Sequence, residues 1–355
     1  MSYTTEINRR LDWVKQRATA APVSIVLITV GVLLAFSPVG IVYPDFLLPA
    51  VDLGILTALY GLVILGVNLQ VGHTGLINFG PHLFFGVGAY TMAMMASSGS
   101  FAGVTFGLPI PVGLVAAVVL SSAVGLLLGS TSLQLRDDYL AIVTLAGAEI
   151  FIRLINGVQP IFGGQTGIQN IPQPIGAVAA SYKTGLTATL LIFSGILVAA
   201  YAVVTKLTDA PYGRVLRAIR ADNDGARSIG KKVGRYKLVV FVLGAALAGF
   251  AGAMVPLYNG SIAPTFTTIT LTVTIWIGML MGGAGNNRAV IGGLLIIMGI
   301  RLFTRFMNTY SPVGGGFFAP LRLMLIGIVL WAVIYYKPEG IWGDPDRLGE
   351  VFTRK

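Results

Sequence analysis

The sequence contains no cysteine in its 355 residues. That excludes disulfides and cysteine-based metal or redox centres, and it leaves the compartment open. Charge is scarce as well: 11% of residues are charged, against about 25% in a soluble domain. There are two histidines, His73 and His82, with too few acids nearby to complete a metal site. No paired-carboxylate site, GxSxG, HExxH or GxxxxGK[ST] phosphate loop occurs, so nothing points to enzymatic chemistry or to ATP binding in this chain. The alternating ten-residue segments of a membrane β-barrel are also missing.

What is present is apolar. Hydrophobic residues make up 55% of the chain and glycine accounts for 46 positions. Apolar runs of roughly 20 residues recur, the length a helix needs to cross the hydrocarbon core of a bilayer. The fold class expected is all-α: a polytopic helical membrane protein with about ten transmembrane helices, eight at the least. The expected spans are 21–41, 50–70, 71–95, 110–130, 139–156, 185–205, 238–258, 267–282, 289–306 and 320–336. Residues 1–20 carry Arg9, Arg10, Lys15 and Arg17, with Ile7, Leu11 and Val14 at helical spacing. They read as an amphipathic segment on the cytoplasmic face. Residues 21–336 form the transmembrane domain and 337–355 a polar cytoplasmic tail. One or two segments, 72–88 and 278–293, are interrupted by glycine and polar residues and read as broken or re-entrant. Non-helical backbone at membrane depth is tolerated only inside protein or along a wet cavity. No clear internal repeat relates the two.

The net charge of +10 does not indicate nucleic acid, because of where it sits. Residues 206–237 hold Lys206, Arg214, Arg217, Arg220, Arg227, Lys231, Lys232, Arg235 and Lys237. With this block, the N-terminal segment, 131–138, 283–288 and the tail in the cytoplasm, every Lys and Arg is inside except Arg153, Lys183, Arg301, Arg305 and Arg322. The positive-inside rule therefore predicts both termini in the cytoplasm.

The basic block has internal structure. Pro211 and Gly213 close the preceding span, and Val215, Leu216, Ala218 and Ile219 then alternate with Arg214, Arg217 and Arg220 as on an amphipathic helix. Asp222 or Asn223 is a good N-cap for a second short helix over about 224–229, ended by Gly230. A topology signal resting on anionic lipid needs charge alone. The cap and the second helix point further, to a cytosolic docking element made of Arg217, Arg220, Asp222, Asn223, Asp224, Ala226, Arg227 and Ile229.

Candidates for a polar path are His73, Thr74, Asn78, His82 and Glu149. Glu149 and Arg153 lie one turn apart on one helix face. They form either a structural pair inside the bundle or a polar feature of a translocation path. Rows of small residues on 238–258, Gly244–Ala248–Gly252 and Ala245–Gly249–Ala253, allow close helix packing.

Several stretches resemble one family. GRVLRAIRADNDGARSIG in the basic block is similar to the signature cytoplasmic loop of branched-chain amino acid ABC permeases. It is joined, in the family's order, by GLINFGPHLFFGVGAYT, LRDDYLAIVTLAGAEIFIR, FGGQTGIQNIP, GMLMGGAGNNRAVIGG and KPEGIWG. Two positions depart from the pattern: Gly225 stands where alanine is usual, and Pro81 where a polar residue is common. The resemblance implies the longer of two paired permeases in an importer of a prokaryotic plasma (inner) membrane. Its partners would be a second homologous permease, two cytosolic ATPases that bind ATP and magnesium, an extracytoplasmic substrate-binding protein and the lipid bilayer, with no nucleic acid. The chain itself would hold no cofactor and catalyse nothing, and its coupling helix would lie at about Asp222–Gly230. The family also contains urea and short-amide permeases. The residues alone also allow an ion-coupled secondary transporter, with Glu149 as its titrating carboxylate.

Overall fold

The computed structural model describes residues 48–97, 106–132, 137–179, 181–310 and 318–343. Among these there are helices and no strand. A single β-bridge, Ile168 with Ile262, ties two loops together. Helix α1, Leu48–Val67, runs into a π-helical turn, Asn68–Gly72, and after a break α2 covers Pro81–Ala96. Then come α3, Ile110–Ser132, and α4, Asp137–Gly157. The following loop holds two short helices, α5 (Gln159–Phe162) and α6 (Pro174–Val178). The long α7, Tyr182–Asp209, delivers the basic block as α8 (Pro211–Ala221) and α9 (Asn223–Ser228). The chain returns as α10, Val233–Asn259, followed by α11 (Ile269–Gly282), α12 (Asn287–Tyr310) and α13 (Phe318–Tyr336).

Each expected span from 50–70 onward, except 71–95, has a helix close to its limits. Seven segments are long and apolar enough to cross a membrane: Leu48–Gly72, Ile110–Thr131, Tyr139–Gly157, Tyr182–Asp209, Val233–Asn259, Pro264–Gly282 and Asn287–Asn308. The protein is thus an all-α, multi-pass membrane protein. The expected span 21–41, the segment 1–20 and most of the tail lie outside the described residues. Within 71–95 the first half is irregular and only the second half, α2, is a regular helix, as expected of a broken segment leading into a span.

Helices α10 and α1 form the centre. The first packs on α2, α3 and α1; the second packs also on α7 and α12, while α11 pairs with α12. Small residues explain the position of α10. A Cβ at Gly252 would lie 1.9 Å from the Phe85 carbonyl oxygen, and one at Gly88 equally close to that of Gly249. Backbone touches backbone here, so alanine is already too large. Helix α2 is buried along almost its whole length, as expected of a short helix that is apolar all round. By contrast α3, α4 and α13 present large exposed side chains, including Val115, Leu127, Ile150 and Trp331, which suit the bilayer.

The end of the KPEGIWG motif folds back onto the turn between α11 and α12. Ile341 N–H donates to the Met281 carbonyl at 2.8 Å and Trp342 N–H to that of Gly282 at 3.1 Å.

Candidate functional site

The sequence LGVNLQVGHTGLINFGP explains the break between α1 and α2. Asn68 and Gln70 sit in an apolar run, the helix widens to a π-turn there, and Gly75 takes a left-handed turn at φ 75°. Irregular backbone follows until Pro81, which opens α2 at its first position. Proline suits that position, because the first amide of a helix has no internal partner.

At this depth every freed polar group needs a partner from the protein. Gln70 supplies several. Its Nε2 donates to the Phe241 carbonyl at 2.9 Å, and its Oε1 accepts from Asn78 Nδ2 at 2.8 Å. The Gln70 carbonyl accepts from Leu76 N–H at 3.0 Å and from the Thr74 hydroxyl. Asn78 Oδ1 accepts from Gly80 N–H at 2.8 Å, and its carbonyl accepts from Trp276 Nε1 at 3.0 Å. The Phe79 N–H donates to Thr144 Oγ1 of α4 at 3.1 Å. His82 Nδ1 lies 2.7 Å from Thr272 Oγ1 of α11, while His82 Nε2 has no hydrogen-bond partner among the described residues. His73, Thr74, Asn78 and His82 are all buried. Among the described residues no three of His, Cys, Asp and Glu gather as metal ligands.

A second knot lies beside it. Asn68 Nδ2 donates to Asn287 Oδ1 at 2.8 Å, and Asn68 Oδ1 accepts from Gly285 N–H at 2.8 Å. Asn287 Nδ2 lies 3.3 Å from Thr205 Oγ1 and 3.2 Å from Thr208 Oγ1, on the last turns of α7. The π-turn, the start of α12 and the end of α7 thus meet at one level. Gly72 is needed here, because a Cβ would fall 2.2 Å from Asn68 Oδ1.

Helices α8 and α9 dock onto the same end. Their apolar side chains Leu216 and Ile219 are buried, the first with Leu69 and Val240, the second with Ala226 and Val233. Asp222 caps α9, accepting the N–H groups of Asp224 and Gly225 at 3.0 Å each. Gly230 follows in the left-handed region, at φ 81°. Arg217 Nη1 donates back to the Thr208 carbonyl at 3.0 Å. Arg220 reaches across to the Gly72 carbonyl at the end of the π-turn. On α9 itself, Ala226 faces inward and Asn223 is half-buried, while Asp224, Arg227 and Ile229 face out. The Asp224–Arg227 ion pair, at 3.2 Å with both side chains largely exposed, contributes little to stability. Ile229, 70% exposed, is an apolar knob with none of the described residues covering it.

Glu149 stands apart from this assembly. The inward face of α4 is Leu140, Thr144, Ala148 and Ile155. Glu149 and Arg153 lie on the opposite, exposed side with Ile150 and Leu154, and no ion pair joins them. The expectation of a structural pair inside the bundle is therefore corrected: that face is turned away from the core.

Asn68, Gln70, Thr272, Trp276 and Asn287 were not foreseen as members of the site. Asn68 and Gln70 could have been, as polar residues inside an apolar run. For Thr272 and Trp276 the sequence gives no such signal.

Comparison with known proteins completes the description. The family model for the permease component of the branched-chain amino acid transport system matches residues 50–334. The high-affinity branched-chain amino acid transport permease protein LivM of Salmonella typhimurium is 32% identical over 314 residues, covering 82% of this chain and 69% of that protein. The probable LivM of Methanocaldococcus jannaschii is 29% identical over 313 residues, covering 80% and 90%. The permease LivH of Escherichia coli is 26% identical over 302 residues, covering 81% and 92%. No solved structure gives a significant match.

Proposed function

Because this chain belongs to the family of branched-chain amino acid transport permeases, we propose that it is one membrane half of an ABC importer for branched-chain or similar hydrophobic amino acids. A binding protein delivers the substrate at one face, and separate ATPase chains supply the energy at the other. The chain is a mechanical component that hydrolyses nothing. Both termini are assigned to the cytoplasm, a placement that the distribution of positive charge supports.

The observation that carries this reading is the seating of α8 and α9. The pair presents Asp224, Arg227 and Ile229 outward while its inner side is fixed to the π-turn through Arg220 and the buried Leu216. A groove on an ATPase that receives α9 would move α8 with it, and α8 is bonded to the broken helix. ATP-driven closure thereby reaches the polar corner at 72–82, and the smooth small-residue faces of α10 allow its neighbours to slide. Glu149 supports a second permease. A charged side chain facing acyl chains costs roughly 2.5–3.5 kcal/mol on insertion scales. A protein partner or a wet path along α4 removes that cost. The same outward placement weighs against an ion-coupled transporter made of this chain alone.

The test is uptake of radiolabelled leucine into proteoliposomes holding the two permeases, the ATPases and the binding protein. ATP-dependent uptake that needs every one of these components is expected. Uptake by this chain without any ATPase would reject the reading, and uptake of urea in place of leucine would replace the substrate. Because the chain has no native thiol, I150C gives a clean probe of the α4 face. It is expected to cross-link to a cysteine placed on the partner permease and not to an ATPase.

A further inference from the structure

At the end of the bundle remote from α9, three arginines line an open cavity that the transport reading does not use. It has a volume of about 220 Å³ and is lined by Leu53 of α1, Arg301, Thr304, Arg305 and Asn308 of α12, and Phe318 and Arg322 of α13. One carboxylate stands near. Asp52 accepts the Tyr258 hydroxyl at 2.5 Å, and its other oxygen lies 3.8 Å from Arg305. That leaves two guanidinium groups without a counter-charge among the described residues. Arg301 donates from Nη2 to Thr274 Oγ1 at 3.0 Å, but its Nε is buried with no acceptor. Arg322 makes no hydrogen bond or ion pair among the described residues.

Half-buried guanidinium groups side by side, one of them with a buried Nε that has no acceptor among the described residues, call for an anion whose oxygens match their planar forks. A zwitterionic amino acid is a poor fit, because its ammonium would enter a positive field whose one carboxylate is already engaged. We propose that this cavity binds a phosphate group, which its position assigns to an anionic phospholipid. The walls are the membrane-spanning α1 and α12 and the shorter apolar α13, and the last two present Phe303, Leu323 and Met324 outward, where acyl chains could lie. Basic pockets between transmembrane helices on the cytoplasmic side take lipid headgroups, and the same charge pairing is available to this pocket at the opposite end. The bound lipid would clamp α12 to α13 and α1. This holds whatever the permease carries.

The experiment is native mass spectrometry of the full-length chain purified in detergent, with phosphatidylglycerol or phosphatidylcholine added at equal concentration. Thermal unfolding with inorganic phosphate serves as a second arm. Wild type is expected to retain phosphatidylglycerol at least tenfold over phosphatidylcholine, and R322Q to lose that preference. Because R322Q removes no described bond, its fold should persist; R301Q is the second variant and shows the same loss. Protection by inorganic phosphate equal to that by phosphatidylglycerol supports the phosphate chemistry and moves its source from lipid to solution. Equal retention of the two lipids by wild type, or an unchanged preference in both variants, overturns the proposal.

Discussion

The α8–α9 pair and the break at 73–80 are both polar interruptions of an apolar chain, and they satisfy their backbones in opposite ways. The short helices lie at a surface. Asp222 caps its own neighbours, Gly230 ends the helix, and solvent takes the remaining groups. The break is buried, and its groups are met from α4, α10 and α11 through Thr144, Phe241 and Trp276. A surface element can therefore be specified by its own few residues, whereas a buried interruption has to be specified by distant ones.

The comparison is broken most severely at Asn68 or Gln70. Asn68→Leu removes the Oδ1 that accepts from Gly285 N–H and the donor to Asn287 Oδ1, and Gln70→Leu removes the acceptor of Asn78 Nδ2. Each is expected to destabilise by about 2–4 kcal/mol, since an orphaned buried polar group costs about 1–3 kcal/mol. Thermal unfolding in detergent measures this, and an unchanged midpoint would mean that water or an alternative partner fills in. Arg220→Gln joins the two regions' fates. It is expected to cut ATP-driven uptake at least tenfold while the ATPases still co-purify, because it cuts the link between α8 and the π-turn and leaves α9 intact. Loss of co-purification instead would place Arg220 at the docking surface.

Ile229→Asp should do the reverse. It weakens ATPase co-purification and shifts stability by less than about 0.5 kcal/mol, as for an exposed site away from special features. Asp222→Ala removes a cap worth about 1 kcal/mol. Amide exchange should rise over 223–228 and stay unchanged over 68–82; a change in both would show that the two regions open together.

Tyr212→Phe is the mildest. The Tyr212 hydroxyl is buried without a hydrogen-bond partner among the described residues, so its removal should be neutral or slightly stabilising. Burial, and secondarily Tyr236, hold the Tyr212 phenol above its ordinary value, so the un-ionised form is favoured in the fold. The associated stability is present below pH of about 10 and is lost as pH rises through the folded value. The phenylalanine variant should lack that alkaline loss in a pH series of unfolding midpoints.

These contrasts match what was readable from the residues in order. Pro81 at the first position of α2, Asp222 as a cap and Gly230 as a stop act on groups within a few positions, and each could be assigned without a structure. The hydrogen bond between Asn68 and Asn287 spans 219 positions, and only packing decides it. Arg217 and Arg220 fall on the polar side of an amphipathic helix, yet their guanidinium groups turn back onto carbonyls of Thr208 and Gly72. That choice depends on which carbonyls the break leaves within reach. The face of α4 was equally hidden. Ile142, Ile150 and Leu154 on its outer side are as apolar as Leu140, Ala148 and Ile155 on its inner side, so periodicity had nothing to distinguish.

By itself, then, the sequence determined where the apolar helices run, where they stop and which loop carries the positive charge. Those depend on transfer energy and on capping, both summed over neighbouring residues. Only the tertiary structure decided which faces are buried, which carbonyls receive the arginines and how the broken helix is made whole. Lipid and protein core are alike in polarity, so in a membrane the hydrophobic pattern that marks an inside face in water is absent, and the assignment falls to close packing and hydrogen bonds between distant segments.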